Sequence, residues 1–246
     1  MSWRQDTRPY YILVSEIMLQ QTQVDRVAPK FEAFIREFPD ERSLAVASLA
    51  DVLRLWSGLG YNRRAKFLHE AVKYIVNEYK GVFPRTREEL LRLPGVGPNT
   101  AGAILTYAYN EVAPFIETNV RTVYIHHFFE DGDKVSDKEI MAKLTETIDR
   151  EHPREFYWGL MDYGSMLKRQ GFGRLAQSKH YKKQSPLKGS VRETRGALLR
   201  ALAGGPQDIA RLKRVVVDDE RFIPALEGLM KDGLITKNDS LFQLSQ

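Results

Sequence analysis

From Tyr10 to about residue 170, apolar side chains recur at the three-and-four spacing of one helix face, and strand-like alternation is scarce. Proline and glycine punctuate the pattern where helices must break. The region therefore reads as all-α, with helices expected over 9–38 (broken near Gln23), 43–56, 62–79, 86–93, 99–109, 119–129, 136–151 and 153–169. Thr86 to Glu89 has the order of a capping box, which fixes one helix start. A chain of 246 residues can bury one good core and a smaller one, so a main domain and an appendage are expected.

Residues 171–190 (GFGRLAQSKHYKKQSPLKGS) are rich in Gly, Ser and Lys and read as a basic linker or phosphate-tracking loop. Beyond it, 191–202, 208–215 and 221–231 carry helical spacing, with Pro224 expected in the first turn of the third helix, where its missing N–H costs little. LITKNDSLFQL then alternates about an Asn238-Asp239 turn. Three helices followed by a hairpin predict a winged-helix-like domain over 191–246, either a DNA binder or a structural cap.

The formal net charge of +5 says little, but its distribution is informative. Between Met166 and Arg200 stand ten Lys or Arg and one acid, Glu193, a polyanion signal. Cysteine is absent, which excludes disulfides, cysteine nucleophiles, thiolate zinc sites and cysteine-ligated iron–sulfur clusters. The five histidines form no spaced ligand set, so no metal centre is expected. No apolar run approaches a membrane span and the first residues lack a signal-peptide core, so a cytoplasmic protein is expected, nucleoid-associated if bacterial.

Four segments have chemical potential. Leu93-Pro94-Gly95-Val96-Gly97 joins two helices through glycines, and the free N–H groups of the following helix can receive a phosphate; a plain helix–helix turn is the alternative. In Ser15-Glu16-Ile17-Met18-Leu19-Gln20-Gln21-Thr22-Gln23 an acid sits among apolar residues. Burial would raise its pKa into general-acid range, although composition alone favours a surface acid paired with a nearby arginine. Pro114 to Val120 (PFIETNV) puts Glu117 at a helix start, where the dipole would keep it ionised and suited to a developing cation. Trp56 to Asn62 (WSGLGYN) exposes Tyr61 at a turn, as a core residue or as a wedge for a base stack.

Together these segments resemble the adenine DNA glycosylases of the helix-hairpin-helix (HhH-GPD) superfamily, which also holds endonuclease III. The resemblance runs to about Ser165 through SEIMLQQTQV, LWSGLGY, RAKFLHEA, FPRTREELLRLPGVG, TAGAIL, NVRTV and LMDYG. It implies a two-lobed helical fold over 1–170, with a six-helix barrel near 22–125 and a second lobe of 1–21 plus 126–170, and double-stranded DNA across the cleft with one nucleotide flipped in. On that resemblance Glu16 is the acid that protonates the departing base and Glu117 the carboxylate that steadies the sugar cation. Asn99 and Asn119 belong to the base pocket. Gln21 and Tyr61 belong to the opened stack, Gln20 and Thr22 to the DNA contact, and Leu93, Gly95, Val96 and Gly97 to a phosphate clamp able to hold a monovalent ion.

Three departures qualify the resemblance. Position 117 is Glu where the family has Asp. Asn99 stands where bifunctional relatives carry a Schiff-base lysine, so base removal without strand cleavage is expected. Lys168 stands where the first of four cluster cysteines would be, so the basic stretch, with Lys168, Lys179, Lys182 and Lys183, is expected to present charge to DNA without a cofactor. The expectation is a monomeric, monofunctional glycosylase acting on adenine. A thymine or uracil mismatch glycosylase, or a DNA-binding protein that has lost catalysis, are the alternatives.

Overall fold

The computed structural model describes residues 1–216 and 218–246. Eleven α-helices precede the basic stretch: α1 Ser2–Gln5, α2 Pro9–Leu19, α3 Val24–Glu37, α4 Glu41–Val46, α5 Leu49–Trp56, α6 Arg63–Glu78, α7 Arg87–Leu90, α8 Pro98–Tyr109, α9 Thr118–Phe128, α10 Asp137–Thr147 and α11 Pro153–Arg169. After it come α12 Val191–Leu202, β1 Gln207–Asp208, α13 Ile209–Val215, α14 Phe222–Lys231, β2 Ile235–Asn238 and β3 Leu241–Leu244. The chain is mostly helical, as its periodicity dictates, with one small antiparallel sheet in the order β1-β3-β2.

α2 is the central element. Pro9 starts it at a position where no N–H is needed, and Tyr10, Ile12, Leu13, Val14, Ser15, Ile17 and Met18 are all buried. A helix apolar on nearly every side has to be surrounded, and α2 packs on α3, α6 and α8. Helices α3 to α6 gather on one side of it. On the other, α9 packs between α10 and α11, and α11 also reaches α8. Trp56, Phe31, Phe34 and Tyr124 are fully buried in the one continuous core that results.

Several boundaries differ from the sequence expectation, each for a local reason. The expected 43–56 helix is two helices, because Asp40 and Ser43 form a capping box for α4 and the Ser48 side chain caps α5 by accepting from Asp51 N–H. The 86–93 helix is a single turn. Thr86 Oγ1 does accept from Glu89 N–H, but Glu89 returns to the Thr86 hydroxyl at 2.9 Å rather than to its backbone, so the box is half formed. A complete box instead starts α10, between Ser136 and Glu139.

In the last 56 residues, α12 packs on α14 and on β3. Pro224 does fall in the first turn of α14. The hairpin pairs Asn238 with Leu241, so the turn is Asp239-Ser240, one residue beyond the expected place, with Asp239 in the left-handed region. β1 had no sequence signal, being only two residues long. This part of the chain is fastened to the helical body: Lys66 Nζ donates to Asp232 O at 3.0 Å and Arg54 Nε to Ala203 O at 3.3 Å.

Candidate active site

The two acids singled out in the sequence, 101 residues apart, lie close enough in space for the charge of Glu117 to act on Glu16. Glu16 lies on the buried helix α2, where, among the described residues, nothing donates to its carboxyl. Burial, and then the charge of Glu117, push its pKa from the ordinary 4.5 up to about 8. Some of its surface stays open, so it is enclosed by the core without being sealed in it. At neutral pH it is a protonated acid, the state a proton donor requires.

Glu117 is the N-cap of α9. Its Oε1 accepts from Asn119 N–H at 2.7 Å and from Val120 N–H at 3.3 Å. The extra methylene, relative to Asp, is taken up by folding the side chain back onto its own helix. Full ionisation from the helix dipole alone does not hold, however: burial is the dominant influence and raises the Glu117 pKa, while the two N–H groups and the charge of Lys168 oppose it. Both acids are pushed upward, but only Glu117 has groups that favour its anion. The asymmetry makes Glu16 the readier of the two to hold a proton.

The loop that delivers Glu117 is held from two sides. Tyr157 on α11 stacks on Phe115 with centroids 4.1 Å apart; its hydroxyl accepts from Phe115 N–H at 2.8 Å and donates to Phe115 O at 3.0 Å. From α8, Asn99 Nδ2 donates to Ile116 O at 2.7 Å and Oδ1 accepts from Ile116 N–H at 3.3 Å. Asn99 was expected to read a flipped base, but both ends of its amide are engaged here, so it braces the loop. Asn119 beside Glu117 keeps a buried Oδ1 with no partner, and its Nδ2 meets only the Met161 sulfur at 3.6 Å. That free acceptor suits a base pocket.

At the hairpin the expectation needs correction. The Leu93 and Val96 side chains are buried in the core, 2% and 7% exposed, so they anchor the turn and cannot reach DNA themselves. What the hairpin presents is backbone: Gly95 turns with φ +77°, and Gly97 caps α8 without any side-chain bond, leaving the helix N-terminus open to an acceptor. Gln20 Nε2, 3.5 Å from Gly95 O and Thr100 Oγ1, links the end of α2 to this turn.

Sequence reasoning missed Arg64. It is 7% exposed and its guanidinium has no carboxylate partner. Its Nη1 donates to Ile17 O and Met18 O at 2.8 Å and to Gln20 O at 2.6 Å. Nη2 donates to Thr22 Oγ1 at 3.0 Å and Gly60 O at 3.1 Å. One cation thus caps the carbonyl end of α2, four residues from Glu16, and ties it to the loop that holds Tyr61. Thr22, expected at the DNA, gives its hydroxyl to this arginine. Burial lowers the Arg64 pKa to about 10, which still leaves it charged at neutrality.

Gln21 and Tyr61 have left-handed backbones, φ +55° and +46°, and project at the edge of a cavity of about 770 Å³ between the helical body and α12. Arg192 Nη1 donates to Tyr61 Oη at 2.8 Å, and Gln184 Nε2 lies 3.5 Å from Gln21 Oε1. Residues 171–190 are therefore no free linker. Arg174 donates to Ile125 O and His126 O at the end of α9, and Val135 pairs with Ser178 in a short bridge. These bonds fasten the segment where the resemblance would put a cluster; with no cysteine in the chain, its residues do not fit that group. Lys182 and Lys183 are exposed, whereas Lys179 leans toward Glu139 at 3.9 Å.

The sequence pattern of the HhH-GPD superfamily base excision DNA repair proteins matches residues 14–150, more than half of the chain and the part that carries both acids. The chain belongs to the HhH-GPD superfamily. Among its relatives, the adenine DNA glycosylase of Mycolicibacterium smegmatis is 35% identical over 268 aligned positions, covering 100% of this chain and 91% of that protein. The adenine DNA glycosylase of Buchnera aphidicola (subsp. Acyrthosiphon pisum) is 39% identical over 171 residues, 68% of this HhH-GPD chain and 49% of that protein, so the chain spans about half the length of that relative. A thermostable thymine-DNA glycosylase superposes with a TM-score of 0.62 at 26% identity, over 68% of this chain and 78% of that one. A trapped endonuclease III–DNA intermediate shares the fold, with a TM-score of 0.58 at 22% identity over 73% of this chain and 78% of that one.

Proposed function

We propose that this HhH-GPD chain is a monofunctional DNA glycosylase that removes adenine from a mispair in double-stranded DNA, working as a monomer and without a cofactor. The observation that carries the reading is the acid pair: burial pushes the Glu16 carboxyl up to about 8, and it raises Glu117 too, but there two N–H groups and the charge of Lys168 oppose it. Glu16 gives its proton to a ring nitrogen of the flipped base, and the glycosidic bond breaks with its electron pair leaving on the base. The cation that develops at C1′ lies opposite the Glu117 carboxylate, which then takes a proton from the water that adds there. A lyase step needs an amine at C1′, and the position after the hairpin offers the Asn99 amide, already bonded to Ile116.

Adenine is favoured as the target because relatives that align along essentially the whole chain are adenine DNA glycosylases. The second reading, a thymine or uracil mismatch glycosylase, rests on the likeness to the thymine-DNA glycosylase structure. Labelled duplexes carrying A opposite 8-oxoguanine, A opposite G, T opposite G and U opposite G separate the two. Cleavage of an adenine duplex only after hot alkali is the expected result. Cleavage of the thymine or uracil duplex would replace the target, cleavage without alkali would overturn monofunctionality, and tight binding with no cleavage would favour a DNA-binding protein.

The exposed lysines give a separate expectation. Changing Lys179, Lys182 and Lys183 to Gln should weaken binding to all duplexes alike and reduce the slope of log K against log salt by about two. Two rather than three is expected because Lys179 already has Glu139 as a neighbour. Binding titrations at several salt concentrations check this, and an unchanged slope would remove the loop from the phosphates.

A further inference from the structure

Lys168 is the last-turn residue of α11 in a part of the cleft the reaction above does not use. Four residues back on the same helix face, Gly164 packs directly on Asn119: a Cβ there would sit 2.7 Å from Asn119 Cβ and from Asn119 O. The missing side chain leaves α11 lying against the first turn of α9, the turn capped by Glu117. Helix side chains lean toward the N-terminus of their helix, so the Lys168 stem runs back toward that turn. On its other side Gly173 closes on the stem, with its own Cβ position 3.0 Å from Lys168 Cγ. Among the described residues the Lys168 ammonium makes no ion pair within 4.0 Å; it feels the Glu117 charge across a gap, and partial desolvation lowers its pKa against that attraction.

We propose that Lys168 is a positioning residue for the acid pair: its ammonium, laid back along α11 past Gly164, favours the Glu117 carboxylate and so keeps the pair's one proton on Glu16. The inference rests on the glycosylase reading and deepens it. Among the other described groups around Glu117, Arg121 adds positive charge too, but less than Lys168 does. From α2 comes Glu16, which when protonated carries no charge; Tyr107 from α8 and Tyr157 from α11 are neutral, each pushed above its ordinary value by burial. On α9 itself, Arg121 is bound to Asp137 at 2.6 Å, and the Asn119 and Val120 N–H groups are dipoles without net charge. Lys168 is therefore the cation whose charge is not already taken by a carboxylate. Two carboxyls sharing one proton in a buried site titrate as a unit, and which one holds the proton depends on such an outside charge.

The test uses Lys168→Met and Lys168→Arg in the whole chain, with two readouts. The first is independent of catalysis: carboxyl titration by carbon-13 NMR of the free protein, Glu117 being assigned by its loss in Glu117→Gln. The Glu117 midpoint should rise by about one unit in Lys168→Met and stay near the parent in Lys168→Arg. The second is single-turnover base release against pH on the duplex found above, where Lys168→Met should fall about tenfold near neutrality, with Lys168→Arg restoring most of it. If the chain released no base from any duplex, the NMR titration would still decide the proposal, so its failure and that of the glycosylase reading are separable. An unmoved Glu117 titration overturns it. So does an unchanged pH profile joined to a salt slope lower by about one, which would make Lys168 a phosphate contact.

Discussion

Glu16→Gln should abolish base release, lowering the single-turnover rate at least about 100-fold, the usual size of a general-acid contribution, while duplex binding stays within about twofold of the parent. The amide keeps the shape and has no transferable proton. The same substitution should change stability in the opposite direction. Glu16 takes up its proton more readily in the folded chain, with a value near 8, than in the unfolded one, near 4.5. Its contribution to stability is therefore complete below about 4.5 and is lost as pH rises through about 8. A buried Gln pays no such ionisation cost, so at pH 9 the variant should be more stable than the parent by on the order of a few kcal/mol, and equal to it near pH 4. Urea melts at the two pH values check the stability arm. A rate that survives the substitution would take Glu16 out of the mechanism, and an absent pH-dependent gain would mean its carboxyl is well solvated in the folded chain.

Arg64→Met should be the most damaging single change away from the acids, with a loss of about 3 kcal/mol or more in stability, since each buried acceptor left without its donor costs on the order of 1–3 kcal/mol. The methionine fills the volume but leaves the Ile17, Met18 and Gln20 carbonyls without their donor. Arg64→Lys should recover only part of it, because one ammonium cannot reach carbonyls on α2 and on the Gly60 loop together as the planar guanidinium does. Equilibrium urea unfolding measures the loss. A cost below about 1 kcal/mol would show that water replaces the guanidinium and that α2 does not depend on it.

The helical body was legible because its signal is local. The three-and-four apolar spacing made α6 and α11 visible, and Pro9, Pro98 and Pro153 lie in the first turns of α2, α8 and α11. The alternation of the final hairpin was equally local. The split of the expected 43–56 helix was less so, since Ser48 reads as an ordinary helix residue until its side chain is seen to accept from Asp51 N–H. The site was legible in its residue types: an acid among apolar residues at 16, an acid at a helix start at 117, and glycines at a turn near 95.

By itself, then, the sequence determined which segments become helices, that no thiolate chemistry is available, and which two carboxyls are candidates for the reaction, because propensity, apolar periodicity and residue chemistry are written along the chain. Only the tertiary structure decided what those groups do. It brought Glu16 within reach of the Glu117 charge and made the two acids unequal. It turned Leu93 and Val96 inward and left backbone N–H groups to face outward, and it bound the Asn99 amide to Ile116. It also brought Arg64 to carbonyls more than 40 residues earlier in the chain, and Lys168 toward Glu117. The physical reason is that burial, desolvation and charge–charge coupling depend on distances in space, which the spacing of residues in the sequence does not encode.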